Sequence, residues 1–204
     1  MIVYVESNFI LEIALRQEQY ADAERILQFG EMEHVQLVIP AFGLSEPYSH
    51  IRQRDRDRKT ALDALNKSIR DLARSQDYRE FAATLDQATQ SMVAIEREEM
   101  DRLAAVVSRL LGVAEVIPIS AETFRDSLEY QDRYGLEPED SLILACVVRD
   151  LRQRDPSMLK CFASRDAKAF FDPGIGAILT SLNCRYLAKF NHAVEYLNRF
   201  AQGA

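Results

Sequence analysis

The sequence predicts an alternating α/β fold, a central, mostly parallel sheet of about five strands flanked by helices. Three observations carry that expectation. Short apolar runs of strand length recur along the chain. The first four are separated by segments with helical spacing, and the runs are continuously apolar, as strands covered on both faces require.

The first run, IVYV at 2–5, consists of β-forming side chains and ends on Glu6, Ser7 and Asn8. Phe9, Ile10, Ile13, Ala14, Ala21, Ile26 and Leu27 then follow helical spacing, which predicts a helix or helix pair closing near Gly30. The second run is VQLVIP at 35–40. A helix is expected to open after it around Leu44 and Ser45, with Glu46 and Pro47 in its first turn, where proline is tolerated.

Residues 51–111 contain neither Gly nor Pro. Leu62, Leu65, Ile69 and Leu72 repeat at heptad-like intervals, as do Met92, Ile95, Leu103, Val106 and Leu110 beyond a polar break at 75–78. This predicts two long helices, an antiparallel hairpin inserted into the α/β body. A third run, VIPI at 116–119, precedes a helix from 138 to about 152 whose opening, LEPEDSLILACVV, places acids where the helix dipole favours them. The runs LKCFAS at 159–164 and CRYLAKF at 184–190 complete the sheet, and 191–204 reads as a C-terminal helix. The organisation expected is one body over 1–190 with the hairpin inserted at about 51–111.

At 204 residues, 48% apolar and 28% charged, the chain is long enough to bury a sizeable core. No apolar run approaches the roughly 20 residues that span a bilayer, and no basic segment precedes an apolar stretch at the N-terminus, so a cytoplasmic protein is expected. Cys146, Cys161 and Cys184 lie among apolar neighbours without a C-x-x-C pair, and His34, His50 and His192 are isolated. That pattern predicts reduced core thiols and no zinc constellation, leaving oxygen as the donor to any metal. The net charge of −7 excludes a generally basic nucleic-acid-binding surface, yet it is unevenly spread. Residues 51–110 hold 12 Lys/Arg against 11 Asp/Glu, net +1, while the remainder holds 13 against 21, net −8.

The carboxylates fall in a telling order. Glu6 ends the first strand, Glu46 opens the helix after the second, Asp140 lies in the first turn of the helix before the fourth, and Asp166 follows LKCFAS. In a parallel sheet the carboxyl ends of the strands share one edge, so Glu6, Glu46 and Asp166 are able to meet there, and Asp140 joins them if its helix crosses the same edge. Converging carboxylates repel one another, and a divalent cation is the natural counter-charge. Hard oxygen donors suit Mg²⁺ or Mn²⁺.

Four segments carry a family resemblance: VESN at 5–8, GLSE at 43–46, EDSLILACVVRDL at 139–151 and FASRDAKAF at 162–170. In this order and strand context the chain resembles the PIN-domain family of metal-dependent ribonucleases, which includes the VapC-type toxins. The resemblance covers roughly residues 1–50 and 113–190 and leaves the hairpin outside. It implies that Glu6, Glu46, Asp140 and Asp166 coordinate Mg²⁺ or Mn²⁺, that Asn8 and Ser164 are polar supporting or substrate contacts, and that RNA is hydrolysed by activated water. It also implies a possible antitoxin or other protein partner and a possible homodimer. The first acid is Glu6 where the family normally has Asp, which extends the carboxylate by about one methylene in a geometry sensitive on the scale of 1 Å.

Each acid has an ordinary reading beside this one. Glu46 and Asp140 suit a helix dipole, with Glu139 as well placed as Asp140, and Asp166 suits an N-cap. The run IRQRDRDRK at 51–59 reads as a self-paired solvated face or as a guide for RNA. A catalytically degenerate module that binds a partner through the hairpin is the alternative to the nuclease. A phosphoacceptor signalling domain is disfavoured because only one acid ends the first strand.

Overall fold

The computed structural model describes residues 1–93 and 95–201, with the side chains at 91, 93, 96, 200 and 201 outside that description. The chain forms an α/β fold whose five strands, β1 (Ile2–Tyr4), β2 (Gln36–Pro40), β3 (Ala114–Ile117), β4 (Lys160–Ala163) and β5 (Cys184–Leu187), make one sheet. All pairings are parallel and the spatial order is β3-β2-β1-β4-β5. The architecture is consistent with a PIN-like fold.

Continuous apolar runs become strands here because helices cover both faces. Val3, Leu37, Ile39 and Cys161 face one core, shared with α1 (Ser7–Ala14), α2 (Tyr20–Glu31) and the C-terminal α10 (Phe190–Ala201). Ile2, Tyr4, Val38 and Phe162 face the other, beneath α6 (Ala121–Tyr134), α7 (Pro138–Leu151) and α9 (Pro173–Ser181). Val3 stands opposite Leu37 on one side and Cys161 on the other, so the register alternates side chains between the two cores. Burying each Val, Leu, Ile or Phe contributes roughly 1.5–3 kcal/mol. No helix among the described residues is long and apolar enough to cross a membrane. The expected C-terminal helix is present as α10, and residues 202–204 of that expectation lie outside the described residues.

The helix after β2 differs from expectation. It is α3 (Ala41–Leu72), which starts directly on Pro40 as its N-cap and runs unbroken through 32 residues, so Pro47 lies inside the helix and not in its first turn. The missing proline N–H costs one backbone bond without ending the helix, because Pro47 and its neighbours are packed against the body. Gly43 sits where α3 passes α1; a Cβ there would lie 3.3 Å from the Ser7 amide nitrogen and 3.5 Å from the Glu6 Cα. That close approach sets Glu46, one turn further along, beside the end of β1.

The outgoing arm of the hairpin is therefore the far part of α3. The return arm is α4 (Arg79–Val93) and α5 (Ile95–Val113), after a short 3₁₀ turn at Gln76–Tyr78. Leu62, Ile69 and Ala82 are buried along its seam. Its base belongs to the body: Ile51, Leu103, Val106 and Leu110 share the core of Val3 and Phe9. Strand β3 starts two residues before the expected VIPI and stops before Pro118, which has no N–H to donate to a ladder. Helix α6 is opened by a capping box between Ser120 and Thr123 and closed by Gly135 in the left-handed conformation at φ 64°.

Candidate functional site

The strand order places the site. From β1 the chain moves outward to β2 and β3 on one side, and returns to lay β4 and β5 on the other. The segments leaving β1 and β4 diverge above the carboxyl edge, which opens a crevice at that switch point.

Glu6 leaves β1 and caps α1. Its Oε2 accepts from the Asn8 amide at 2.7 Å and from the Ser7 hydroxyl at 2.9 Å, which fixes the carboxyl group in one orientation. The side chain is 3% exposed, and Oε1 is buried with no hydrogen-bond partner. Ser164 Oγ lies close to the same carboxyl without closing a hydrogen bond to Oε1; it accepts from the Asp166 amide at 3.0 Å. Asp166, just beyond β4, caps the short helix α8 (Ala167–Phe170) by accepting from the Ala169 amide at 2.8 Å. The Tyr186 hydroxyl of β5 donates to the Ser164 and Asp166 carbonyls, bracing that turn.

Glu46, Asp140 and Asp166 line one cleft of about 440 Å³, together with Glu137 and Glu139 at the start of α7. Phe42, Ser45 and Ser49, on one face of α3, form the facing wall. Helix α7 does cross the carboxyl edge, as the joining of Asp140 to the other acids requires. Glu6 is not a lining residue; it lies just beneath, near enough to Glu46 for the two charges to oppose each other.

The electrostatics follow from burial and crowding. Burial pushes the Glu6 carboxyl up to about 7, against the pull of its hydrogen bonds from Asn8 and Ser7 and of the nearby Ser164 hydroxyl, with the Glu46 charge adding to the rise. Burial likewise lifts Asp140 to about 6, reinforced by the charges of Asp166, Glu46, Glu139 and Glu137. Glu46 is raised by burial and by Glu139 and Asp166, with Ser7 and His50 opposing. Such mutual perturbation marks the acids as one electrostatic unit.

Among the described residues no three Asp, Glu, His or Cys side chains are drawn together closely enough to form a coordination shell. The residues nevertheless suit a hard divalent cation on two counts. The donor set is all carboxylate and hydroxyl oxygen, and Glu6 Oε1 is a buried acceptor without a donor, a state that costs about 1–3 kcal/mol.

Asn8 and the residues around Asp166 fall as follows. Asn8 contributes its backbone N–H to Glu6, and its side chain makes no hydrogen bond among the described residues. Arg165 turns away from the cleft and pairs with fully buried Glu12 and with Glu18. Lys168 is exposed, and Asp172 caps α9 by accepting from the Gly174 and Ile175 amides. Ser45, Ser49, Glu137 and the bracing Tyr186 were not picked out in the sequence. The one signal for Glu137 is its place two and three residues before Glu139 and Asp140 in LEPED. A larger cavity, about 560 Å³, opens at the β5 edge against Phe170, Tyr186 and Tyr196; Asp172 is the one carboxylate in its lining.

No protein-family model matches the chain, and no curated protein matches it.

Proposed function

We propose that the chain is a PIN-like ribonuclease that uses Mg²⁺ or Mn²⁺, with Glu6, Glu46, Asp140 and Asp166 as its metal-holding and catalytic residues. The observation that carries this reading is the convergence of Glu46, Asp140 and Asp166 on one cleft, directly above a Glu6 whose Oε1 is buried and unpartnered.

Glu6 and Asp166 are the rigid members, each pinned by backbone amides at a helix start. Glu46 and Asp140 are half-buried on α3 and α7 and complete the donor set from the opposite walls. Glu6, Glu46, Asp140 and Asp166 would hold the cation as carboxylates, so binding would be favoured as pH rises through the raised values of Asp140 and Glu6. What Mg²⁺ or Mn²⁺ supplies when bound is acidification of water and neutralisation of charge developing on a phosphodiester. Ser49 offers a hydroxyl donor to phosphate oxygens at the cleft wall, the Asn8 side-chain amide is a further polar group for substrate, and Ser164 holds Asp166 in place.

The test is cleavage of a mixed single-stranded RNA pool by the full chain. Fragments are expected with millimolar Mn²⁺ or Mg²⁺ and none with chelator; intact RNA at saturating Mn²⁺ overturns the proposal. A toxin of a toxin–antitoxin pair, acting in the cytoplasm with an antitoxin partner and as monomer or homodimer, is the biological setting this activity fits. One observation favours a second reading, a degenerate interaction module. Tyr78 and Phe81 are 54% and 58% exposed at the turn of the hairpin, and such groups suit a protein partner. Under that reading the same assay gives no metal-dependent fragments.

A further inference from the structure

The run 51–59 pairs with itself only in part. Asp55 is buried and pairs with Lys59, and Arg58 turns inward to Glu99. Asp57 accepts from Gln53. The interleaved acids therefore leave Arg52, Arg54 and Arg56 without a carboxylate partner among the described residues, Arg52 and Arg56 on one side of the helix and Arg54 on another. Arg56 hydrogen-bonds to neutral Gln53, and no carboxylate pairs with Arg52, Lys67 or Arg70 among the described residues.

These cations share one direction. An α-helix advances about 100° per residue, so positions separated by alternating steps of three and four stay on one side. The cleft-lining residues Phe42, Ser45 and Ser49 begin such a row, and Arg52, Arg56, Lys59, Asp63, Lys67 and Arg70 continue it along unbroken α3. The six all lie within a sector about 80° wide and all are exposed. They hold Lys59, already paired with Asp55, four further cations and one acid, in a chain of net charge −7. From Ser49 to Arg70 the row runs about 30 Å.

We infer that this row is a track for single-stranded RNA, carrying the flank of the substrate from the acidic cleft out along the hairpin. The assignment rests on the ribonuclease reading for its substrate and on α3 for its geometry. Charge complementarity selects a polyanion, and continuity with the serine wall of the cleft makes it the same strand that enters the site. An anionic cleft of five carboxyl groups repels RNA by itself, and the track supplies the attraction that holds the strand there.

The test compares native chain with Arg52→Gln/Arg56→Gln/Lys67→Gln/Arg70→Gln, and with the two half-variants, Arg52→Gln/Arg56→Gln and Lys67→Gln/Arg70→Gln. Gln matches Arg and Lys in helix propensity and all four sites are exposed, so unchanged thermal midpoints are expected. Binding of a fluorescein-labelled 15-nucleotide oligouridylate is followed in chelator across a salt series. Each phosphate contact to a single strand contributes about 0.7 to the slope of log affinity against log salt, so the fourfold variant is expected to lose about 2 to 3 of that slope, and each half-variant about half. With Mn²⁺, KM for the 15-mer is expected to rise at least tenfold while cleavage of a trinucleotide stays unchanged. Unchanged RNA affinity and slope overturn the track, as does equal loss on the trinucleotide or competition by polyglutamate as strong as by RNA. Native chain that binds the oligouridylate through these residues yet cleaves nothing retains the track and removes the nuclease reading.

Discussion

Asp140→Asn is expected to lower metal-dependent RNA cleavage by more than about 100-fold, beyond the 10–100-fold typical of removing a supporting group around a metal ligand. Asp140 is the wall of the cleft opposite Glu46, and its carboxyl is crowded by Asp166, Glu46, Glu139 and Glu137. An amide keeps the volume and removes one negative donor. The fold does not depend on that charge: the side chain is half-buried and its electrostatic neighbours are all acids. The variant is therefore expected to melt in chelator at or above the native temperature, which separates lost chemistry from lost structure. Cleavage within threefold of native removes Asp140 from the site.

The second large effect is on stability. Glu6 titrates at about 7 in the folded chain against an ordinary 4.5, so the folded state retains a proton that the unfolded state releases between those values. That contribution is complete below about 4.5 and is lost as pH rises through 7. Asp140 acts in the same direction from 3.8 to about 6. In chelator, the melting temperature is therefore expected to fall between pH 5 and pH 7.5, and Glu6→Gln is expected to flatten much of that decline and to melt higher than native at pH 7.5. A tenfold change in proton affinity is about 1.4 kcal/mol, so Glu6 contributes on the order of 3 kcal/mol, which for a chain of this size is roughly 6–12 °C. Thermal scans at half-unit pH steps measure it. A melting temperature that rises over this window contradicts the burial argument.

Much of this was legible in the sequence because burial on both faces writes strands as unbroken apolar runs. IVYV, VQLVIP, LKCFAS and CRYLAKF all contain the strands found, and the acids at their ends point to the edge where loops of a parallel sheet gather. The Gly43 approach to α1, which seats Glu46, has no such signature, since a glycine before a helical stretch equally suits a turn. Helix α6 was missed because it is polar and amphipathic, although Ser120 three residues before Thr123 marks its start. Pro47 pointed to a helix start that lies six residues earlier, because tertiary packing absorbs the lost hydrogen bond. Glu139 reads as a helix-dipole complement, and only the crossing of α7 over the carboxyl edge brings it and Glu137 into the cleft beside Asp140. Arg165, next to Asp166, is committed to the buried charge of Glu12, a pairing across 153 residues that sequence spacing does not reveal.

The gathering of distant acids around one cation is tested most directly by anomalous diffraction from a crystal soaked in millimolar Mn²⁺. A peak is predicted in the cleft bounded by Glu46, Asp140 and Asp166, with carboxylate oxygens drawn to about 2 Å and the Glu6 carboxyl turned to it. A soaked crystal with no peak at that position, or with ordered manganese only at other surfaces, contradicts the account.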